Sequence, residues 1–426
     1  MMTEIRQYDV AVVGASVAGC TAARLFAQSG ARVALVEKRK DPAAYKVTCT
    51  HAILPAAAPT IERLGLAPLL RENGAIRTSA DLWTPYGGWL ALPDGAELGW
   101  GVTRRTLDPL VRDLATNTPG VDFLPGWSAH QVLSTGPGAL EIEDRRHRRL
   151  EIRSHLLVGA DGRDSTVARL AGVPGRVRPH NRCFYFAYWR RVKPHKPAIR
   201  LWLMDPEGGA LFPSEDSLSL LVAGFHRSRI PEVRADREGS YLRQLASLPD
   251  GPDLSEAERV SKVMGKLEMP NVIRLASRPG LAFAGDAGLA TDPTFGVGIS
   301  FAFQSAEWLV DATAHALDGG GRLEAALRRY RRTFFLRLMP HHVHLASYST
   351  GRKFYAPERF LIRRAATDPV VAEAFAAFAT RERLPYTLMH PRVLKHLLVP
   401  RSGPRDGAPA MPVSSKRSEL AQKAAA

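Results

Sequence analysis

The sequence predicts an α/β protein of two interleaved lobes followed by a helical C-terminal region, and three features predict it. Residues 8–37 read as strand, glycine turn, helix and second strand. Two later apolar runs end in Gly159-Ala160-Asp161-Gly162 and in Gly285-Asp286, so the chain returns to the first sheet twice. Between those returns, residues 183–225 carry apolar and aromatic runs separated by proline and glycine, the pattern of an antiparallel sheet. A chain of 426 residues is long enough to bury two packed lobes.

Taken in order, Asp9 to Val13 is a short apolar strand and Val33 to Val36 a second. Ala18 to Gln28 repeats small and apolar residues at helical spacing, and Gly30 is placed to end that helix. Lys46 to Gly65 reads as a loop and then a helix, and Thr106 to Thr116 as another helix. Phe184, Phe186 and Tyr188 alternate on one face of a strand; Ile199 to Met204 and Leu218 to Phe225 continue its sheet. Residues 296–335 read as helical with a break at Gly319-Gly320-Gly321, and residues 340–398 alternate helical stretches with prolines. The first lobe is therefore assigned residues 1–80, 101–175 and 271–335, and the second residues 81–100 and 176–270. Residues 336–400 form the C-terminal helical region; residues 401–426, rich in Ser, Pro, Gly, Ala and Lys, are expected to be a disordered tail.

Composition narrows the function classes. Apolar residues make up 45% and charged residues 23%, and runs such as Leu281 to Ala284 are far shorter than the roughly 20 residues of a membrane span. The mixed-charge start, Met1 to Gln7, has no signal-peptide pattern, which gives a cytoplasmic expectation. Cys20, Cys49 and Cys183 are odd in number and lack any CxxC pair, so reduced thiols are expected rather than disulfides or zinc. The net charge of +16 is mostly arginine spread along the chain without aromatic interleaving. That distribution argues against nucleic acid and for anionic small ligands. The basic amphipathic stretches Phe360 to Arg364 and Val393 to Arg401 are compatible with peripheral contact at a membrane surface. Nothing in the sequence sets the oligomeric state.

Gly14-Ala15-Ser16-Val17-Ala18-Gly19 lies directly between strand and helix, the context in which a glycine turn offers backbone N–H groups to a pyrophosphate. Gly14 permits the tight turn and Gly19 a close helix-to-strand approach, while Ser16 stands at the middle glycine position. Glu37 ends the second strand, where a carboxylate accepts adenosine ribose hydroxyls and repels a 2′-phosphate. At the second return, Asp286 can bind a polyol hydroxyl. There Pro293-Thr294-Phe295-Gly296-Val297-Gly298 presents another helix N-terminus to a ring that becomes anionic on reduction.

The glycine turn, Gly159-Ala160-Asp161-Gly162-Arg163-Asp164-Ser165, and Gly285-Asp286 with Pro293 to Gly298 resemble, in the same order, the three motifs of flavoprotein monooxygenases of the para-hydroxybenzoate hydroxylase type. The resemblance spans about residues 9–310. It implies a Rossmann-like three-layer FAD-binding lobe carrying an interleaved antiparallel substrate sheet. Gly14, Ser16, Ala18, Gly19, Glu37 and Lys38 would take the adenosine and pyrophosphate, and Asp286 the ribityl chain. Pro293, Gly296 and Gly298 would lie at the flavin ring, Arg104 would meet the flavin side of the site, and Asp161 would serve the fold and the reductant's approach. Ala168-Arg169 departs from the family, whose arginine stands one position earlier.

The reaction this implies is hydroxylation or epoxidation of an aromatic or polyketide-like molecule, in secondary metabolism, with NAD(P)H and O₂. His51 is the candidate catalytic base, because the resemblance places its loop near the flavin. Flavin halogenases share the resemblance, but their Trp-x-Trp-x-Ile-Pro segment is missing here. Geranylgeranyl reductases share it too; of their Pro-x-x-Tyr-x-Trp-x-Phe-Pro segment only Phe212-Pro213 is kept, with Gly208 and Ala210 at the aromatic positions. Prenyl reduction is the alternative, ahead of halogenation or flavin binding without turnover. His341, His342 and His344 diverge on a helix with no carboxylate in the pattern, so no metal site is expected.

Overall fold

A computed structural model describes residues 4–90, 98–136, 138–193, 198–317 and 321–399. The expected tail at 401–426 and Gly319 and Gly320 of the glycine break lie outside the described residues.

The first lobe has three layers. Its central sheet runs in the order Ser277–Arg278, Leu281–Phe283, Leu156–Gly159, Val10–Val13, Val33–Glu37, Val121–Pro125, and all but the first pairing are parallel. Successive side chains of these strands enter different cores, as the period of two demands. Val10, Val12, Leu156 and Val158 pack under the helices Val17–Gln28, Arg104–Thr116 and Gly298–Thr313. Ala11, Val13, Leu157 and Phe283 pack against a second sheet, Glu4–Gln7, Arg149–Ser154, Gly138–Asp144 and Trp127–Thr135. The sequence reading had not assigned that outer sheet.

The second lobe is built on a larger sheet whose path is Glu258–Arg259, Arg182–Arg190, Leu218–His226, Gly208–Pro213, Ala198–Leu203, Ile76–Thr84, Gly99–Gly101, Ala52–Ile53. It is antiparallel except where Ala198–Leu203 joins Ile76–Thr84 in parallel, the point at which two separate excursions of the chain meet. The loop and helix read over Lys46 to Gly65 contain the short strand Ala52–Ile53 and the helix Ala58–Arg63, and a further helix, Leu66–Glu72, follows Gly65 with φ +66°. Gly321–Tyr348 is one helix that runs through Pro340; Leu336, whose carbonyl loses its amide partner there, is exposed to solvent. The helices Ala356–Thr367 and Pro369–Ala379 then fold back over the open face of the larger sheet, and Pro391–Leu398 packs against Pro369–Ala379.

Candidate functional site

The site begins where Val10–Val13 ends. Gly14 has φ +105°, and a Cβ there would stand 2.6 Å from the carbonyl oxygen of Ala160. A Cβ on Gly19 would meet the carbonyl oxygen of Gly14 at 1.7 Å, so only glycine lets the helix close onto the strand. Ser16 stands at the N-cap of Val17–Gln28 and makes no capping hydrogen bond, which leaves the first-turn amides to a ligand. Its Oγ instead accepts from Arg104 Nη2 at 2.6 Å and lies 3.4 Å from Asp108 Oδ1. The serine that replaces the middle glycine is thus turned aside by Arg104.

Glu37 accepts the N–H of Ala15 at 2.8 Å and that of Arg39 at 2.9 Å. A carboxylate has about four acceptor directions, so two remain for ribose hydroxyls. Lys38 follows it, exposed at the strand end. Asp286, in the turn Gly285–Ala287, accepts from Lys46 Nζ at 3.0 Å. Burial pushes its carboxyl up, but Lys46 and Arg163 outweigh this and hold it below the usual range, so it is ionised. A Cβ on Gly285 would stand 2.9 Å from the methyl of Ala18, and one on Gly298 would meet only Asp286 Oδ1, at 3.9 Å. Asp286 therefore sits beside two helix N-termini, because Gly298–Thr313 also lacks a side-chain cap. Pro293 opens the preceding turn, Asp292 caps it at Thr294 N–H and pairs with His180 at 2.7 Å, and Gly296 closes it with φ +66°.

Asp161 faces its own segment: it accepts from Ser165 Oγ at 2.5 Å and from Val167 N–H at 3.0 Å, fixing the start of the helix Thr166–Leu170. Arg104 is buried, 4% exposed, and its Nη2 lies 2.6 Å from Asp108 Oδ1. Its backbone N–H donates to His51 Nδ1 at 3.0 Å. The proton of neutral His51 is therefore on Nε2, which contacts the Tyr188 hydroxyl at 2.5 Å. Burial and Arg104 push His51 down to about 3. Burial also pushes the Tyr188 phenol up, so it keeps its proton. Arg112 braces the loop from below, donating to the carbonyls of Ala15 at 3.2 Å and Ala44 at 2.7 Å.

Lys46, Asp108, Arg112 and Tyr188 were not singled out from the sequence. The Lys46–Asp286 pair is 240 residues apart in the chain and leaves no local pattern. His341 and His342 are buried and His344 half-buried on the Gly321–Tyr348 helix, and among the described residues no group of three or more His, Cys, Asp or Glu could hold a metal.

Between the larger sheet and the C-terminal helices lies an apolar cavity of about 250 Å³. Leu201, Leu203 and Phe212 form its floor, Phe375 and Phe378 its roof, and Phe295 connects it to the Pro293–Phe295 turn.

A Gly-rich turn without a cap, a strand-end carboxylate with acceptor directions left over, and a second carboxylate beside two helix N-termini fit a flavin dinucleotide. The model of the FAD binding domain family matches residues 7–334. The chain belongs to this family. Among curated proteins it is similar to digeranylgeranylglycerophospholipid reductase of Methanocella arvoryzae, 26% identical over 336 residues that cover 76% of this chain and 82% of the relative. The Methanopyrus kandleri reductase 1 of the same description is 24% identical, covering 76% of this chain and 85% of its own. Among solved structures, a flavoprotein/dehydrogenase from Cytophaga hutchinsonii superposes with TM-score 0.75 at 18% identity, covering 91% of this chain and 96% of that one. The myxobacterial chondrochloren halogenase CndH gives 0.70 at 19% identity, covering 92% of each chain. These structures share the fold. As a member of this family, the protein is an FAD-binding oxidoreductase. No helix among the described residues is long and apolar enough to cross a membrane.

Proposed function

We propose that the protein is an FAD-dependent monooxygenase that uses NAD(P)H and O₂ to hydroxylate or epoxidise an aromatic or polyketide-like molecule. The observation that carries this reading is the cavity between the larger sheet and the C-terminal helices, which is lined mainly by rings and aliphatic chains and reaches the Pro293–Phe295 turn through Phe295. Such a lining binds an apolar substrate and keeps water away from the reacting atoms. When bound, FAD supplies electron transfer from the nicotinamide and activation of O₂.

The chain's own residues hold and orient. Gly14, Ser16, Ala18 and Gly19 would receive the pyrophosphate, Glu37 and Lys38 the adenosine, and Asp286 the ribityl hydroxyls. Gly298, at the head of its helix, would place the positive dipole end toward the ring. Arg104 positions both the glycine turn, through Ser16, and the ring of His51, through its N–H. His51 has both nitrogens engaged, so the part assigned to it as a base passes to a positioning role. It donates to Tyr188 and leaves the Tyr188 hydrogen to point elsewhere, as a proton donor beside His51.

The curated relatives favour a second reading, reduction of prenyl double bonds, which the same apolar cavity would accommodate. Oxygen uptake driven by NADPH or NADH, measured across aromatic and polyketide-like compounds with mass spectrometry of each extract, separates the two. A product heavier by one oxygen supports the monooxygenase. A prenyl lipid heavier by two hydrogens, formed without O₂, overturns it.

A further inference from the structure

The cavity contains a buried cation without an anion. Arg381 follows the helix Pro369–Ala379, lines the cavity and is 5% exposed, held at φ +67°. Its Nη1 lies 3.4 Å from His341 Nδ1 and 3.5 Å from the Phe378 carbonyl, and its Nε has no partner. The guanidinium sits over the rings of Phe295 at 5.2 Å and Phe378 at 5.1 Å.

Among the described residues no carboxylate pairs with it. Glu358, in the same wall, is taken by both terminal nitrogens of Arg352 at 2.7 Å, and Glu382 accepts from Thr380 Oγ1 at 2.5 Å. Burial alone acts on Arg381, pushing it down to about 9, and no acid counteracts it. Of the other buried arginines, Arg104 has Asp108 and Arg112 has backbone carbonyls; Arg182, which does not line the cavity, donates to Thr294 Oγ1 at 3.1 Å and lies over the Tyr348 ring, with its Nε and Nη2 likewise without partners. Burying a guanidinium without a counter-ion is costly, and two aromatic faces compensate for only part of that. Fixing it in a mainly apolar pocket, whose wall also carries Asp81 and Glu358, suits recognition of a single anionic group on an apolar ligand.

We infer that the cavity selects an apolar, ring-bearing substrate with one carboxylate, which Arg381 binds next to Phe295. This rests on the cavity being the substrate site and adds the charge of the molecule it takes. The planar fork of the guanidinium matches a carboxylate in two parallel hydrogen bonds and so fixes which end of the molecule faces the Phe295 turn.

The test is binding to the FAD-loaded protein without turnover, so its failure leaves the redox reading untouched. The probes are 2-naphthoate and its uncharged analogue 2-naphthamide, titrated calorimetrically. We expect naphthoate to bind about 10- to 150-fold more tightly, the difference made by one charge-assisted contact. In Arg381→Met the preference should vanish, while flavin content is kept and the melting temperature does not fall. Arg381→Lys, which keeps the charge and loses the fork, should retain part of the preference. Equal affinity for the two probes, binding of neither, or a preference retained in Arg381→Met would overturn the inference. Loss of FAD from Arg381→Met would overturn it as well, by assigning the cation to the cofactor.

Discussion

Replacing Asp286 by alanine should separate cofactor binding from folding. Its carboxylate is 20% exposed and bonds to Lys46 Nζ at 3.0 Å, but the lysine side chain is 50% exposed. A pair with one partner in water contributes no more than about 1 kcal/mol, and the freed lysine is left solvated rather than buried. The flavin-free variant should therefore melt within about 4 °C of the parent. Toward FAD the same carboxylate would supply one or two charge-assisted hydrogen bonds of roughly 1.5–3 kcal/mol each. Losing one weakens binding about 10- to 150-fold, enough for the variant to purify with little colour. Titrating the flavin-free protein with FAD by fluorescence quenching gives the affinity, and a thermal melt gives the stability. An unchanged affinity together with an unchanged melt would refute the placement of Asp286 at the ribityl chain. A large fall in the melt would show that the pair supports the fold.

Glu37→Ala should weaken FAD binding by at least about tenfold, with the added cost of leaving the Ala15 amide without its acceptor; flavin titration reads the first and melting the second. Tyr188→Phe should lower kcat for the oxygenated product while flavin content and KM stay close to the parent, and steady-state kinetics on the identified substrate checks this. Stability should fall in acid. His51 and His341 are pushed down to about 3, and His342 and His344 to about 4, by burial first. Unfolded histidine titrates near 6.5, so below that pH the unfolded chain binds more protons than the native one. The contribution is complete above about pH 6.5 and is lost as pH falls toward 4, at up to about 1.4 kcal/mol per pH unit for each group. Melting temperatures that stay flat between pH 7 and pH 4.5 would contradict this.

The parts of this molecule that were legible in the sequence are those that chemistry confines to a few neighbouring residues. A strand, a positive-φ glycine and a small-residue helix occupy Val10 to Gln28, and the two strand ends at Asp161 and Asp286 sit beside glycine for backbone reasons. The outer sheet was missed because Trp127–Thr135 buries only one face and alternates with exposed polar residues, as surface segments of several kinds do. The environment of His51 depends on Tyr188, 137 residues away, and on the backbone of Arg104, so nothing in Thr48 to His51 signals that both ring nitrogens are used. Arg381 reads as part of a charged loop with Glu382 and Arg383; it becomes a buried cation only because the C-terminal helices close over the larger sheet.

The anaerobic visible spectrum of the purified protein, before and after NADPH and then NADH, tests the account most directly. We expect a bound-flavin band that one of the nucleotides bleaches, with the band returning when O₂ is admitted. A protein that is colourless as purified and takes up no FAD on mixing would contradict it.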